Sequence, residues 1–395
     1  MVIGSSARKL AKKIIPAVVL KNLTGLSSAV NSYYPEYLFG NGRINKLRSV
    51  SIEVTFRCNC RCQMCPLYGI HTGGGEALVR SMKEKEELTV EEFRGLFKGL
   101  RDLGTRSVHF TGGEAFLRKD MLDITCLARE AGLEVSFTSN GGLLTREIAK
   151  RVVELGVNSI IISLDGPKEI HEDIRKARVF GRIMEAVDWI NEEKRRQNRQ
   201  KPEINFLCTV SALNQNHLGD LVEIAKGKNV PLTIDPIIFT SDDIVKDSKE
   251  ILQGGFAKQE SFLMPDEIGK VDIDLLEKEL EAVSDNANKL DHQVYVSLAR
   301  KKTRRKFFSD PAYSVVNKCF APWYSCRIDP YGNVYPCSLS VNMGNIREHA
   351  IGDIINGDQF VSFRNKLKNK KLLPFCSKCC ILYSHHKFWN FLPAI

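Results

Sequence analysis

Cys58-Asn59-Cys60-Arg61-Cys62-Gln63-Met64-Cys65-Pro66 places four thiols within eight positions, directly behind Ser51-Ile52-Glu53-Val54-Thr55-Phe56. The latter six residues alternate polar and apolar side chains, the period of a strand. Thiols packed this tightly cannot all pair as disulfides, and soft sulfur ligands select zinc, copper(I) or iron–sulfur clusters. Leaving out Cys60, the spacing of Cys58, Cys62 and Cys65 is C-x3-C-x2-C. Three thiolates on a four-iron cluster leave one iron without a protein ligand, open to a small molecule. The remaining sequence must support or sink that hypothesis.

From Thr89 onward, strand and helix patterns alternate. Thr89-Val90-Glu91-Glu92 is a capping box, and Phe93, Leu96, Phe97 and Leu100 share one helix face behind it. Strands are predicted from Ser107 to Thr111, Glu134 to Thr138, Ser159 to Leu164, Ile204 to Val210 and Pro231 to Phe239. Helices are predicted between them, from Met121 to Ala131, Arg146 to Leu155, Ile183 to Glu193 and Leu218 to Lys226. Counted from Val50, six strands joined by helices imply parallel pairing with right-handed crossovers. Such units fit a partial barrel as well as an open sheet. In a barrel, chemistry sits on loops at the carboxyl ends of strands, where the cysteine loop lies. Thr111-Gly112-Gly113-Glu114, Ser139-Asn140-Gly141-Gly142 and Ser163-Leu164-Asp165-Gly166 follow the next three strands. Each alone is a weak loop signal, but at successive strand ends they line one pocket, with glycines that let backbone approach a ligand.

A chain of 395 residues predicts one large domain and a smaller one. Its 43% hydrophobic and 26% charged content is that of a globular protein. Twelve cysteines, ten of them in two clusters, with no secretory signal ahead of them, read as metal binding in a reducing cytoplasm. The net charge of +10 raises nucleic acid or anionic lipid as a partner. The basic runs at 194–201 and 300–306 lack the interleaved aromatics of a base-stacking surface, so nucleic acid is not expected. Residues 1–48 form a basic amphipathic segment, with Arg8, Lys9, Lys12, Lys13 and Lys21 around Leu10, Ile14 and Ile15. Its apolar run is far shorter than the about 20 residues that span a bilayer. Two readings fit residues 1–25: peripheral contact with the inner face of the membrane, and packing on the enzyme's own surface.

Residues 241–318 read as a helical linker, with an amphipathic helix from Asp266 to Leu290. Cys319 and Cys326 then precede Arg327-Ile328-Asp329-Pro330-Tyr331-Gly332-Asn333-Val334-Tyr335-Pro336-Cys337, a hairpin with thiols at its base. Cys376-Ser377-Lys378-Cys379-Cys380 adds a C-x2-C. Two separated thiol pairs around a hairpin and a helix make a four-ligand metal site.

With its C-x3-C-x2-C after strand one and Gly112-Gly113-Glu114 after strand two, the chain resembles a radical S-adenosylmethionine enzyme. The resemblance covers residues 49–240 and implies an α/β fold, a partial (β/α)6 TIM-type barrel. It implies a [4Fe-4S] cluster on Cys58, Cys62 and Cys65, with Cys60 the spare; the role of Cys60 is left open, pointing away from the cluster being the simplest reading. The open iron of that cluster binds S-adenosyl-L-methionine. Reductive cleavage gives methionine and a 5′-deoxyadenosyl radical, which takes a hydrogen atom from substrate. An electron donor such as flavodoxin or ferredoxin is implied with it. Carried onto this sequence, Gly112, Gly113 and Glu114 meet the methionine amino group, and Ser139 and Asn140 lie near the ribose. Ser163 and Arg175 match the pair that holds ribose and carboxylate, although Arg175 also reads as a surface charge on the first turn of a helix. Ala115 replaces a proline common after the glutamate, and Met64 stands where an aromatic residue commonly precedes the third cysteine. Asp165 reads as a turn cap, His171 as structural, and Cys126 and Cys208 as plain core residues. A closed structural zinc site of four thiols would do no chemistry and would need no glycine-glycine-glutamate loop.

The C-terminal motifs, with Gly344-Asn345-Ile346 and the helix after it, resemble the SPASM extension and its shortened twitch form. Residues 319–395 are therefore expected to be a small cysteine-rich α+β domain. Too few cysteines follow Cys379 for two clusters, so one auxiliary cluster on Cys319, Cys337, Cys376 and Cys379 is expected. Cys326 and Cys380 are the alternates, and zinc is the runner-up metal. Such relatives modify peptides, or oxidise or rearrange sugars and other small metabolites. Few residues precede the first strand where peptide-modifying relatives often carry a recognition domain. Ser338 stands where sulfatase-maturing relatives have an aspartate. The expected activity is oxidation, rearrangement or coupling of a sugar, lipid-linked or other small metabolite. A peptide- or protein-modifying maturase is the alternative, and a non-catalytic zinc protein that binds nucleic acid is the rival from another class.

Overall fold

The computed structural model describes residues 33–65, 67, 86–238, 242–252, 269–338, 341–380 and 382, so the basic segment at residues 1–25 lies outside the described residues. After helix α1 (Tyr34–Phe39) come β1 (Ser49–Thr55), α2 (Val90–Asp102), β2 (Ser107–Gly112), α3 (Met121–Glu130) and β3 (Glu134–Ser139). Then follow α4 (Arg146–Glu154), β4 (Ser159–Ser163), α5 (Lys168–Arg175), α6 (Phe180–Arg196), β5 (Glu203–Val210), α7 (Leu218–Gly227) and β6 (Leu232–Pro236). Neighbouring strands from β1 to β6 are consecutive and parallel, with Val50 opposite Val108, Phe110 opposite Phe137 and Ile162 opposite Phe206. The six strands read from the sequence are all present, and the helices pack on one side of them as a partial barrel.

Each strand divides its side chains between two environments. Val50, Ile52, Phe110, Phe137, Ile162 and Phe206 are fully buried beneath the helices, and the Phe97 and Phe110 rings meet at 6.3 Å between α2 and β2. The alternate set is polar and half-buried, as at Ser51, His109, Thr138 and Thr209, and it faces the concave side. Buried parallel strands usually read as unbroken apolar runs. These alternate because one face of the sheet bounds a cavity.

Two differences from the sequence reading concern the sheet's edges. After α8 (Asp242–Leu252) and α9 (Ile273–Lys289), the stretch read as helical linker contains β7 (Val294–Val296), which pairs parallel with β6 and precedes α10 (Lys301–Ser309). Three residues give no readable alternation, so this strand was silent in the sequence. The C-terminal hairpin of β8 (Ser325–Ile328) and β9 (Val334–Tyr335) joins the other edge, where β8 lies parallel to β1 with Ser49 opposite Ser325 and Ile52 opposite Ile328. The described strands therefore form one sheet of nine, ordered β7-β6-β5-β4-β3-β2-β1-β8-β9. Helices α11 (Ile351–Asn356) and α12 (Asp358–Lys370) follow, then a 3-10 turn at Pro374–Lys378.

Candidate active site and second thiol centre

The cysteine loop leaves β1 under tight control. Arg118 donates to Val54 O at 3.0 Å and Leu88 O at 2.8 Å, while Asp120 holds the same guanidinium at 2.7 Å. Gly113 N–H donates to Thr55 O at 2.7 Å, and Glu114 N–H to Arg57 O at 2.9 Å. A Cβ on Gly113 would lie 2.2 Å from Arg57 O, and Gly112 adopts φ +124°, so neither position takes another side chain without strain. The close approach these glycines make is to the root of the cysteine loop itself. On its far side the loop docks on the C-terminal end of α5, whose last carbonyls lack partners within the helix. Gln63 N–H donates to Ile174 O at 2.9 Å and Arg61 N–H to Arg175 O at 3.0 Å. Asn140 fastens a third side, donating to Asn59 Oδ1 at 2.8 Å.

These contacts enclose a cavity of about 400 Å³ at the carboxyl ends of the strands. Of the predicted site residues, Cys58, Cys62, Cys65, Gly112, Gly113, Ser139, Asn140, Ser163 and Arg175 all line it. Glu114 is not among its lining residues. Its carboxylate is fully buried behind the wall, accepting from Ser139 Oγ at 2.8 Å, Asn140 N at 2.8 Å and Phe116 N at 3.2 Å. Burial pushes its pKa up against those hydrogen bonds. Glu114 thus orients Ser139 and Asn140 and does not reach into the cavity. Met64, Thr209, Asp235 and Cys380 also line it; Thr209 and Asp235 carried no site signal in the sequence, and Cys380 was expected only as an alternate at the second centre.

Cys60 does not point away. It is buried, lines the same cavity and hydrogen-bonds to Cys58 and Cys62. That bond lowers both neighbours, and with Arg175 beside it Cys62 falls to about 6. A lowered thiol pKa favours thiolate, the form that ligates metal. Three nitrogens also donate to these sulfurs: Cys60 N to Cys58 Sγ at 3.4 Å, Asn140 Nδ2 to Cys58 Sγ at 3.7 Å, and Arg175 Nη1 to Cys62 Sγ at 3.5 Å. Arg175 is the last residue of α5 and not on a first turn, and only 11% of its side chain is exposed. Asp165, read as a turn cap, is fully buried and pairs with Arg175 Nε and Nη2 at 2.6 Å. His171 is structural as expected: its Nδ1 accepts from Asp165 N–H at 3.1 Å, deep in the wall. An all-sulfur donor set dressed by N–H groups at the wall of a cavity fits an iron–sulfur cluster.

A second, smaller cavity is lined by Cys319, Cys337, Cys376 and Cys379 with Phe363, Leu367 and Phe375. Burial, and then the neighbouring thiols, push the Cys319 and Cys376 thiols well up, a cost that a cationic metal centre would relieve. The two alternates stand apart from this lining. Cys326 is buried on the helix-facing side of β8, within the field of Arg364, and Cys380 lines the first cavity while its side chain hydrogen-bonds with Cys379. Lys378, between the C-x2-C thiols, is buried and donates to the carbonyls of Phe307, Asp310 and Tyr313, which pins this loop beyond α10. Cys208 is a core residue, as read, but Cys126 is half-exposed on α3 beside Glu130.

The regions that carry the two sets of thiols both match known families. A model of the radical SAM superfamily matches residues 52–201, and a model of the SPASM iron–sulfur cluster-binding domain matches residues 319–380. Fe-coproporphyrin III synthase of Methanosarcina barkeri is 33% identical over 31% of this chain and 28% of its own. An AdoMet-dependent heme synthase of the same organism is 25% identical over 82% of this chain and 88% of its own. The chain spans about half or less of other curated relatives, 52% and 43% of two of them. The fold is also that of Streptococcus suis SuiB bound to S-adenosylmethionine, with TM-score 0.59 and 15% identity over 87% of this chain and 75% of that one.

Proposed function

We infer the function of this chain from its membership of the radical S-adenosylmethionine superfamily, with a C-terminal SPASM iron–sulfur domain. It is an enzyme whose cofactors are [4Fe-4S] clusters and S-adenosyl-L-methionine. When bound, these supply one electron and the radical that takes hydrogen from substrate. One observation carries the reading: C-x3-C-x2-C thiols and the loops of three further strands line a single cavity. In this reading Cys58, Cys62 and Cys65 hold the cluster. The backbone at Gly112 and Gly113 takes the methionine amino group, while Ser139 and Asn140, held by Glu114, take the ribose. Ser163 and Arg175 bind ribose and carboxylate. Exclusion of water from this cavity when substrate binds would protect the reacting centre. Cys319, Cys337, Cys376 and Cys379 hold an auxiliary cluster, and a flavodoxin or ferredoxin supplies electrons.

The substrate is a sugar, lipid-linked or other small metabolite that is oxidised, rearranged or coupled. Supporting this is the heme synthase, named for a small-molecule product and aligned along most of both chains. A peptide substrate is the second reading, favoured by SuiB, of the same fold, in complex with a precursor peptide. The deciding experiment is anaerobic reconstitution. The holoprotein should be brown and hold about eight irons per chain for two four-iron clusters. With dithionite it should turn S-adenosylmethionine into 5′-deoxyadenosine, and Cys58→Ala should make none. A colourless protein with one or two zinc ions would end this reading. Supplying candidate metabolites and peptides, and following which one accelerates 5′-deoxyadenosine release, separates the two substrate classes.

A further inference from the structure

We propose that Arg175, oriented by Asp165, sets the reduction potential of the cluster held by Cys58, Cys62 and Cys65, beyond any contact it makes with S-adenosylmethionine. This rests on the ligand assignment proposed above. A guanidinium is a rigid planar fork. Here Nε and Nη2 are both fixed at 2.6 Å on Asp165, so the third nitrogen has no freedom of its own and Nη1 is aimed at Cys62 Sγ, 3.5 Å away. Asp165 is itself fixed by the sheet, accepting from Thr209 N–H at 3.3 Å while its carbonyl takes Asn214 Nδ2 at 2.9 Å. The aim is therefore set by β4 and β5 and not by the cysteine loop. A guanidinium keeps its proton throughout the accessible pH range, so the group is cationic.

Reduction adds negative charge to a thiolate-ligated cluster. Hydrogen bonds to the sulfurs and a nearby cation stabilise that charge and raise the potential, and burial makes both stronger. Asp165 subtracts part of the cation's field. The two residues of one ion pair must then act on the cluster with opposite signs. A residue that only clamps the cofactor's carboxylate has no such signature.

The test is an EPR-monitored redox titration of the anaerobically reconstituted holoprotein. The cluster in question is the one whose signal changes when S-adenosylmethionine is added, and the second cluster in the same sample is the internal reference. Arg175→Gln should move the midpoint of the first cluster to a more negative value, and Asp165→Asn, which keeps an acceptor but removes the charge, to a more positive one. The reference should stay in place. If Arg175→Gln loses the cluster, Arg175→Lys decides: it keeps a charge but not the fork, and should retain only part of the wild-type potential. Unchanged midpoints, or shifts of the same sign in both variants, overturn the proposal. A wild-type protein with two clusters but no response to S-adenosylmethionine overturns the ligand assignment first, and the proposal with it.

Discussion

Asp165 gathers three kinds of partner onto one buried residue: the guanidinium of Arg175, the backbone of Thr209, and His171, which accepts from its N–H. The last contact requires a neutral imidazole, since a protonated ring would present a donor to a donor. Burial accordingly holds His171 down to about 4. An imidazole in the unfolded chain titrates near ~6.5. Between those values the unfolded chain takes up a proton that the folded one refuses. The stability that His171 contributes is complete above pH ~6.5 and is lost as pH falls toward 4, up to about 3 kcal/mol. Thermal melts from pH 7 down to 5 should show a falling midpoint. His171→Gln, whose amide oxygen can take the same N–H, should flatten that fall; an unaltered slope would assign the effect elsewhere. None of this was legible at Asp165 in the sequence, because its partner arrives ten residues later on a helix that folds back over the strand end.

At the scale of elements, the legible helices were those with local signals. Thr89 Oγ1 accepts from Glu92 N at 3.2 Å and Glu92 Oε2 accepts from Thr89 N at 2.7 Å, the capping box read directly from four letters. What those letters did not show is that Arg347, from the C-terminal domain, grips the same Glu92 at 2.5 Å and, with Thr89, holds its carboxyl down to about 2. Thr89→Ala should cost about 1 kcal/mol, read as a lower denaturation midpoint; a midpoint within error of wild type would mean that Arg347 alone holds the helix start. Helix α5 escaped notice for the opposite reason. Only His171 and Ile174 of its eight residues are buried, too few to form a stripe, yet its carbonyl end carries the cysteine loop. The thiols and glycine loops of the site were readable because few residue types can do their chemistry. The residues that aim them, Asp165 and Asn214, were not, because their importance lies in contacts between strands.

For the whole molecule, the decisive pairing is β1 with β8. Connections between neighbouring strands can be inferred from order along the chain, but nothing local links Ser49 to Ser325, and the C-terminal region read as a separate domain is a continuation of the sheet. A chain cut after residue 318 would leave the β1 edge unpaired, a template for association with other chains. It should run as large aggregates by light scattering, where the full chain does not; a monodisperse, thermally cooperative fragment would contradict the structure. The same continuity governs how the two thiol centres sit together. Cys379 lines one cavity and Cys380, the next residue, lines the other, and their side chains hydrogen-bond to each other. Consecutive Cα atoms are about 3.8 Å apart, so at that point the partition between the chambers is a single peptide unit. The two chambers share one covalent ruler there, and no rocking of one region against the other can lengthen it. The length of that link is fixed by bond geometry.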